Sequence, residues 1–162
     1  MIVLGVDPGI HGGLAIVSII NEAAEPFLTD VCDIPVAGVA AKERVDAIEL
    51  RNWVEAHKPQ HAFIERAQAM PKQGISSAYK YGRSVGCIEG VIAACEIPLT
   101  IIEPSAWKKF SGLRGSDKEL SRQRALQLFP DAHGFIARKK DHGRAEAALI
   151  ALYGCTLLRR PT

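Results

Sequence analysis

Ile2-Val3-Leu4-Gly5-Val6-Asp7-Pro8-Gly9 opens the chain, and the fold is organised around it. Its apolar, β-branched residues predict a buried strand over 2–6, which the Pro-Gly pair ends. Asp7 then stands at the carboxyl end of this strand, where the backbone turns. An aspartate before a Pro-Gly turn is commonly a turn former, whereas a buried carboxylate is costly unless it is paired or holds a metal. Acids at the ends of other elements therefore decide between these two interpretations.

The rest of the chain predicts a mixed α/β sheet flanked by helices. Apolar runs at 14–20 and 27–34 predict two more strands, which would form an antiparallel meander with the first. Helices are predicted over 44–57, 75–95, 104–110, 117–129 and 143–158, and strands over 61–65 and 99–102. The segment 131–140 is expected to be irregular. Three strands followed by alternating helices and strands indicate one domain spanning residues 1–162.

Composition narrows the class of protein. The apolar fraction is 48%, but there is no uncharged apolar run of about 18 residues, so no membrane span is expected. The N-terminus has no basic region before its apolar run, so we do not expect a secretory signal. The four cysteines form no CxxC pair, which favours core cysteines in a reducing, cytoplasmic environment over a zinc site.

Charge is unevenly distributed along the chain. The formal net charge is +2, and from Ile101 onward twelve Lys and Arg stand against six Asp and Glu. The first hundred residues are correspondingly acidic. A basic C-terminal portion is compatible with a polyanionic partner, and equally with a solvated face.

Several acids stand at the ends of predicted elements. Glu65 ends the apolar run His61–Glu65 and repeats the pattern of Asp7, while Asp141 and Glu146 lie at the start of the last helix. Converging carboxylates repel one another, and such sets mainly bind hard cations such as Mg²⁺, which prefers oxygen ligands. Two such ions about 4 Å apart activate a water and stabilise the leaving oxygen in phosphodiester cleavage. Taken alone, Glu146 also fits a first-turn acid that complements the helix dipole or a partner for Arg144.

The predicted helix over 75–95 carries Gly82, Gly86 and Gly90 at every fourth residue. Small residues on one face permit close backbone approach, although each costs up to about 1 kcal/mol relative to Ala. We therefore expect this helix to pack tightly, either on the sheet or on a second subunit, with Val85 and Ile88 burying apolar area.

These segments together resemble RuvC-type Holliday junction resolvases. The motifs that follow the family's order are Gly5-Val6-Asp7-Pro8-Gly9, Phe63-Ile64-Glu65, the helix over 77–94, Ile102-Glu103-Pro104, and Arg144-Ala145-Glu146-Ala147-Ala148-Leu149-Ile150-Ala151. The likeness covers most of the chain. It is nearest to the shorter phage-type and organellar branches because of the Asp-His-Gly-Arg-Ala-Glu-Ala sequence at 141–147.

The resemblance implies a ribonuclease H-like fold and a homodimer that resolves four-way DNA junctions in recombination and repair by paired, symmetric cuts. The cofactor implied is Mg²⁺, with Mn²⁺ able to substitute. The resemblance also places catalytic, metal-binding acids at Asp7, Glu65 and Glu146. Lys118 falls on a family lysine near the scissile phosphate, and Lys108 on a basic position that faces DNA. The further residues expected to contact the DNA backbone are Lys72 and Arg114.

Two positions depart from the family's pattern. The family often has an acid or a histidine three residues before the last acid, where this chain has Gly143. We expect Asp141 to serve as the fourth catalytic and metal-binding residue because oxygen suits magnesium. His142, four residues before Glu146 on the same helix face, is the alternative. The loop after Glu65 lacks the aromatic residue that opens the junction in family members, and Met70 is its large apolar residue.

Other functional classes fit parts of the pattern. An ATP-binding lobe of the actin and sugar-kinase type also has a first strand that ends in an aspartate and a glycine-rich turn. Those proteins need two lobes, and 162 residues supply one. A non-catalytic nucleic-acid-binding module would use the basic portion and keep the acids for structure. An RNA-processing nuclease of the same fold would carry identical acids and differ only in substrate.

Overall fold

The computed structural model describes residues 1–21, 23–68, 74–113, 115 and 117–159. At its centre is a five-stranded sheet in the order β3-β2-β1-β6-β7. The strands are β1 (Ile2–Asp7), β2 (Gly13–Ser18), β3 (Phe27–Asp33), β6 (His61–Glu65) and β7 (Leu99–Ile102). The first three are antiparallel, which confirms the predicted meander, and β6 and β7 run parallel to β1. The two remaining strands, β4 (Val36–Ala37) and β5 (Arg44–Val45), form a small separate hairpin.

Each predicted helix is present. The helices are α1 (Ala47–His57), α2 (Ile75–Ala94), α3 (Pro104–Phe110), α4 (Lys118–Leu128), α5 (His133–Ile136) and α6 (His142–Leu158). α1 begins later than predicted because Arg44 and Val45 pair in β5, and Asp46 caps the helix by accepting from the amides of Ile48 and Glu49.

The prediction that 131–140 is irregular is wrong. This segment contains α5, and α5 lies between 3₁₀ turns at Pro130–Ala132 and Lys139–Asp141. The guanidinium of Arg122 in α4 donates to the backbone carbonyls of Ile136 and Ala137. A contact of this kind between distant segments orders the backbone without leaving a periodic pattern in the sequence.

The sheet separates two hydrophobic layers. Residues such as Val3, Val17 and Phe63 face α6 with α3 and α4, and residues such as Leu4 and Ile64 face α1 and α2. This alternation follows from the two-residue period of a strand.

Gly5 lets α6 lie directly on β1. A Cβ at Gly5 would fall 2.1 Å from the backbone oxygen of Ala147 and 2.5 Å from the nitrogen of Ala151. Any side chain at this position would push the helix off the strand. The close approach brings the start of α6 beside the carboxyl end of β1.

The glycine row of α2 does not pack on the sheet. A Cβ at Gly82, Gly86 or Gly90 would meet no atom within 4 Å among the residues that the structure describes. The side of α2 that covers the sheet carries Ser84, Val85, Ile88 and Ile92 instead. The prediction that the glycine row packs on the sheet is therefore wrong, and packing on a second subunit stays a prediction. Val85 and Ile88 bury their apolar area within the chain.

The helices and thiols agree with the composition. Within the residues described, no helix is both long enough and apolar enough to cross a membrane. All four cysteines are free. Burial, as the main cause, raises the pKa of Cys32 to about 12 and that of Cys155 to about 11, so both thiols stay protonated at neutral pH.

Candidate active site

Asp7 and Glu65 end neighbouring parallel strands at the same edge of the sheet. Val6 of β1 pairs with Ile64 of β6, and Asp7 and Glu65 are the next residues of the two strands. In α/β sheets, ligands bind outside the carboxyl ends of the parallel strands. The repeat of an apolar run ending in an acid, seen in the sequence, thus brings two carboxylates together.

Glu146 joins this pair from the second turn of α6. Gly13, which pairs with Asp7 across β1 and β2, lies against the start of this helix, and a Cβ there would fall 2.6 Å from the nitrogen of Arg144. The negative charge of Glu146 raises the pKa of both Asp7 and Glu65. Three predicted acids from three elements therefore share one electrostatic site.

Asp7 is the most perturbed of the three acids. Burial first, and then the charges of Glu146 and Glu65, raise its pKa to about 7. The Lys118 ammonium and a hydrogen bond from the Gly9 backbone act in the opposite direction and do not offset the increase. Near neutral pH this carboxyl therefore exchanges a proton easily, which is typical of functional sites.

Glu65 is held by a tryptophan that the sequence analysis did not single out. The indole Nε1–H of Trp107 in α3 donates to Glu65 Oε2 at 2.6 Å, and Trp107 is fully buried. Burial raises the pKa of Glu65, while this hydrogen bond and the Lys108 ammonium lower it. No local pattern signals this contact, because a tryptophan in a short helix is usually a core residue.

Glu146 has a comparable donor in α4. The hydroxyl of Ser121 donates to Glu146 Oε1 at 3.1 Å, and Ser121 is almost completely buried. Arg144, considered above as a partner for Glu146, instead donates to both carboxylate oxygens of Asp33 at 2.7 Å. Arg144 therefore does not pair with Glu146, whose carboxylate belongs to the acid cluster.

Asp141, the fourth acid expected from the sequence, is bound by Arg138. Its carboxylate is buried, and Arg138 donates to it from the guanidinium at 2.8 Å and from the backbone amide at 2.9 Å. Burial opposes ionisation of Asp141, but the bonds from Arg138 outweigh it and hold the pKa below its usual value. In this arrangement Asp141 closes the turn Lys139–Asp141, and its assignment as a metal ligand stays a prediction.

His142, the alternative to Asp141, contacts Lys118. Its Nε2 is 3.1 Å from the Nζ of Lys118, the lysine whose charge acts on Asp7. An ammonium only donates hydrogen bonds, so His142 accepts at Nε2 and carries its proton on Nδ1. Nδ1 in turn faces the carbonyl of Lys139 at 3.4 Å. This position matches the alternative weighed in the sequence.

The glycine that departs from the family's pattern has a packing reason. A Cβ at Gly143 would lie 2.7 Å from the carbonyl carbon of Gly12 and 2.9 Å from the oxygen of His11. No acid or histidine fits between α6 and this turn unless the backbone moves. A ligand to the cluster from this part of α6 must come from a neighbouring position.

Two of the four predicted DNA-contacting residues lie beside the acids. Lys108 lowers the pKa of Glu65, and Lys118 lowers that of Asp7. Lys72 and Arg114 lie outside the described residues, as does Met70, the residue considered for opening the junction. Their assignments remain predictions.

Lys42, Arg44, Lys80 and Arg83 form a basic trough, whose lining also includes Glu43. These side chains line a cleft of about 500 Å³ between the β4–β5 hairpin and α2. Lys80 also lines a smaller neighbouring cleft that contains His11 and Tyr81. Burial first, and then the charges of Asp7 and Glu65, raise the pKa of Tyr81 to about 12, so the smaller cleft lies within electrostatic reach of the acids.

The donor set of the cluster fits a hard cation. All three acids offer oxygen ligands, and the mutual repulsion that raises the pKa of Asp7 is what a divalent ion would relieve. Among the residues that the structure describes, no three Asp, Glu, His or Cys side chains already stand close enough to ligate one ion.

Comparison with known proteins points in one direction. No family model matches the chain. Over 94 residues, or 57% of the chain, it is 31% identical to the chloroplastic Holliday junction resolvase MOC1 of Chlamydomonas reinhardtii. The matched stretch is only 11% of the length of that relative.

Among solved structures, Thermus thermophilus RuvC in complex with a Holliday junction substrate superposes with a TM-score of 0.73 at 21% identity, covering 98% of this chain and 95% of that one. RuvC from the same organism, in a second structure, gives 0.71 at 20% identity, with 98% and 96% covered. The yeast mitochondrial Holliday junction resolvase Ydc2 gives 0.58 at 19% identity, with 93% and 76% covered. The chain therefore has the RuvC fold, a mixed sheet of the ribonuclease H type, and the resemblance seen in its sequence is confirmed.

Proposed function

We propose that this chain, with its RuvC fold, is a metal-dependent endonuclease that resolves four-way DNA junctions by paired, symmetric phosphodiester cleavage. The observation that carries the proposal is the convergence of Asp7, Glu65 and Glu146 at one sheet edge, with the pKa of Asp7 raised to about 7. Structural acids are normally paired with cations or backbone donors. Here, after burial, the charges of Glu146 and Glu65 raise the pKa of Asp7, and the charge of Glu146 also raises that of Glu65. A bound divalent ion would explain this arrangement.

The acids would hold Mg²⁺, or Mn²⁺ in its place, and the ions would supply an activated water and stabilise the leaving oxygen. Within the chain, Trp107 and Ser121 orient two of the three carboxylates. His142 accepts a hydrogen bond from Lys118, which directs the ammonium to the region beside Asp7. A cation in that place stabilises negative charge that develops on the scissile phosphate.

The same geometry supports a route for the DNA backbone. Lys108 and Lys118 act electrostatically on the acids, and the basic trough lies between α2 and the β4–β5 hairpin. Phosphates bound there would place one arm of a junction across the site. Phosphate contacts position a duplex without reading its sequence, which suits an enzyme that selects its substrate by shape.

A homodimer completes the proposal. A junction has near two-fold symmetry and its resolution needs two cuts, so a two-fold dimer matches substrate to enzyme. The face of α2 that carries Gly82, Gly86 and Gly90 has no partner within the described chain. On the same face, Ile75 is 90% exposed and Tyr79 is 68% exposed. A second copy of α2 would bury these apolar side chains and use the space above the glycines.

The decisive test is cleavage of a synthetic four-way junction, compared with a linear duplex and a structured RNA, with and without Mg²⁺. We expect metal-dependent cleavage of the junction alone. Asp7→Asn should lower the single-turnover rate by at least about a thousandfold, on the order of the loss of one charge-stabilising group. Junction binding should stay intact or tighten because an anion near the phosphates is removed.

Three outcomes would change the assignment. Preferred cleavage of the structured RNA would favour the RNA-processing alternative, and binding without cleavage would favour the non-catalytic module. An Asp7→Asn protein that loses its circular dichroism signal would make Asp7 structural. For the fourth residue, we expect His142→Ala to slow cleavage more than Asp141→Asn, and the reverse order would restore the original choice of Asp141.

A further inference from the structure

Trp107 and Glu65 form a contact that packing alone does not require. Trp107 lies in α3, fully buried in the layer between the sheet and α6, with its indole edge turned toward the end of β6. The Nε1–H is the only polar donor of this side chain, and its acceptor is Glu65 Oε2 at 2.6 Å. The only polar atom of this buried side chain thus donates a hydrogen bond to a carboxylate of the acid cluster.

This bond restricts the orientation of Glu65. A charge-assisted hydrogen bond of this length is among the stronger kinds in proteins, and an indole packed on all sides has no alternative rotamer to follow a moving partner. With Oε2 engaged, the carboxylate turns its other oxygen, Oε1, away from the indole. A glutamate side chain with three rotatable bonds is in this way reduced to a narrow set of positions.

We propose that Trp107 is a positioning residue that preorganises Glu65 as a ligand for the divalent cation of the active site. This inference rests on the proposed function, since it assigns a cation to the acid cluster. Residues that hydrogen-bond to metal ligands commonly contribute a factor of ten or more to metal affinity by fixing the ligand's orientation. Trp107 does so from the hydrophobic core, where its own position is determined by packing against α6.

The chain provides a matched control. It contains two tryptophans, Trp53 and Trp107. Trp53 lies in α1 on the opposite face of the sheet, is partly buried, and contacts His57 in a tilted arrangement with ring centroids 4.2 Å apart. Replacing either tryptophan by phenylalanine removes an indole from a hydrophobic layer, but only Trp107→Phe removes a donor to the acid cluster.

The first measurement uses the two indole N–H signals in a ¹H–¹⁵N spectrum of the full chain, assigned with Trp53→Phe. The Trp107 signal should lie downfield because its proton is bound to a carboxylate, and Glu65→Gln should move it upfield since a neutral amide accepts more weakly. Adding Mg²⁺ should shift the Trp107 signal and leave the Trp53 signal in place. A Trp107 signal that responds to neither change would overturn the proposal.

The second measurement is Mn²⁺ affinity by calorimetry, under conditions where each variant is folded by circular dichroism. Trp107→Phe should weaken binding about tenfold, and Trp53→Phe should leave it unchanged. In the Glu65→Gln background, Trp107→Phe should cause no further loss, because its effect acts through the carboxylate.

Three results would contradict these expectations. Equal Mn²⁺ affinity in the wild type and Trp107→Phe would reduce Trp107 to a core residue and leave the proposed function standing. A further loss in the Glu65→Gln background would show that Trp107 acts by another route and would overturn the inference. Wild-type protein that binds no Mn²⁺ would contradict the proposed function itself, and the positioning role with it.

Discussion

At the scale of single residues, the site is governed by negative charge that the chain leaves uncompensated. Asp7 sits between Glu65 and Glu146, with Lys118 as the cation that acts on it, and its pKa is raised to about 7. By contrast, Asp33 and Asp141 each have an arginine partner and pKa values below the usual range. The chain therefore pairs Asp33 and Asp141 with arginines, whereas the pKa of Asp7 at the sheet edge stays raised.

This contrast predicts the pH dependence of metal binding. A proton on Asp7 competes with a cation, and its raised pKa means that the folded chain holds this proton up to about pH 7. Mg²⁺ affinity should therefore rise by up to about tenfold per pH unit as the pH approaches 7, and level off above it. Calorimetry between pH 5.5 and 8.5 measures this, and Asp7→Asn is the control that should remove the dependence near pH 7. A flat profile in the wild type would show that Asp7 is ionised throughout.

At the scale of elements, the position of α6 decides whether the cluster exists. The helix carries Glu146 and crosses β1 over Gly5, while Arg144 ties its first turns to Asp33 at the end of β3. Arg138 holds Asp141 at the turn just before the helix. Because the helix is anchored at these points, a small shift of α6 would carry Glu146 away from Asp7.

Gly5→Ala tests the close approach of α6 to β1. The added Cβ would overlap the backbone oxygen of Ala147, so the helix must move, and we expect a loss in unfolding free energy of about 3 kcal/mol. Gly134→Ala is the control, since a Cβ there meets nothing within 4 Å and alanine is favoured in helix α5 by up to about 1 kcal/mol. Urea unfolding measures both. If the two variants are equally stable, the helix is not anchored on this strand as described.

At the scale of the whole molecule, the proposed function requires a second copy of the chain. One acid cluster makes one cut, whereas resolution of a junction needs two on strands related by symmetry. The face of α2 with Ile75, Tyr79 and the glycine row is the exposed apolar surface best suited to a helix–helix contact. It adjoins the basic trough, so DNA bound along one protomer would pass close to the proposed dimer contact.

Gly86→Leu tests this dimer. A leucine in the middle of the glycine row should block helix–helix contact and give a folded monomer by sedimentation, because a Cβ at this position has free space within a single chain. On a junction, the monomer should produce single nicks in place of paired cuts. Gly134→Leu, at another glycine with open space, should leave the association unchanged. A wild type that sediments as a monomer at micromolar concentration, both alone and on junction DNA, would contradict the proposed dimer.

The sequence by itself determined the strand meander, the helices and the two strand-end acids. These are local features, because a run of β-branched residues, a following acid and a Pro-Gly breaker are read within about eight residues of chain. Asp7 and Glu65 could be predicted for this reason, and their meeting followed from the rule that parallel strands end at the same edge. Glu146 was recognisable because its motif stands in the family's order.

Only the tertiary structure decided the choices that depend on contacts between distant segments. Asp141 and His142 are adjacent in sequence, yet Arg138 binds one and Lys118 contacts the other. The partners Trp107 and Glu65 are 42 residues apart, and Ser121 and Glu146 are 25 apart. The spacing of the glycine row was visible in the sequence, but its outward direction was not. Side-chain direction depends on how each helix is rotated against the sheet, and that rotation results from packing of the whole chain rather than from any local pattern.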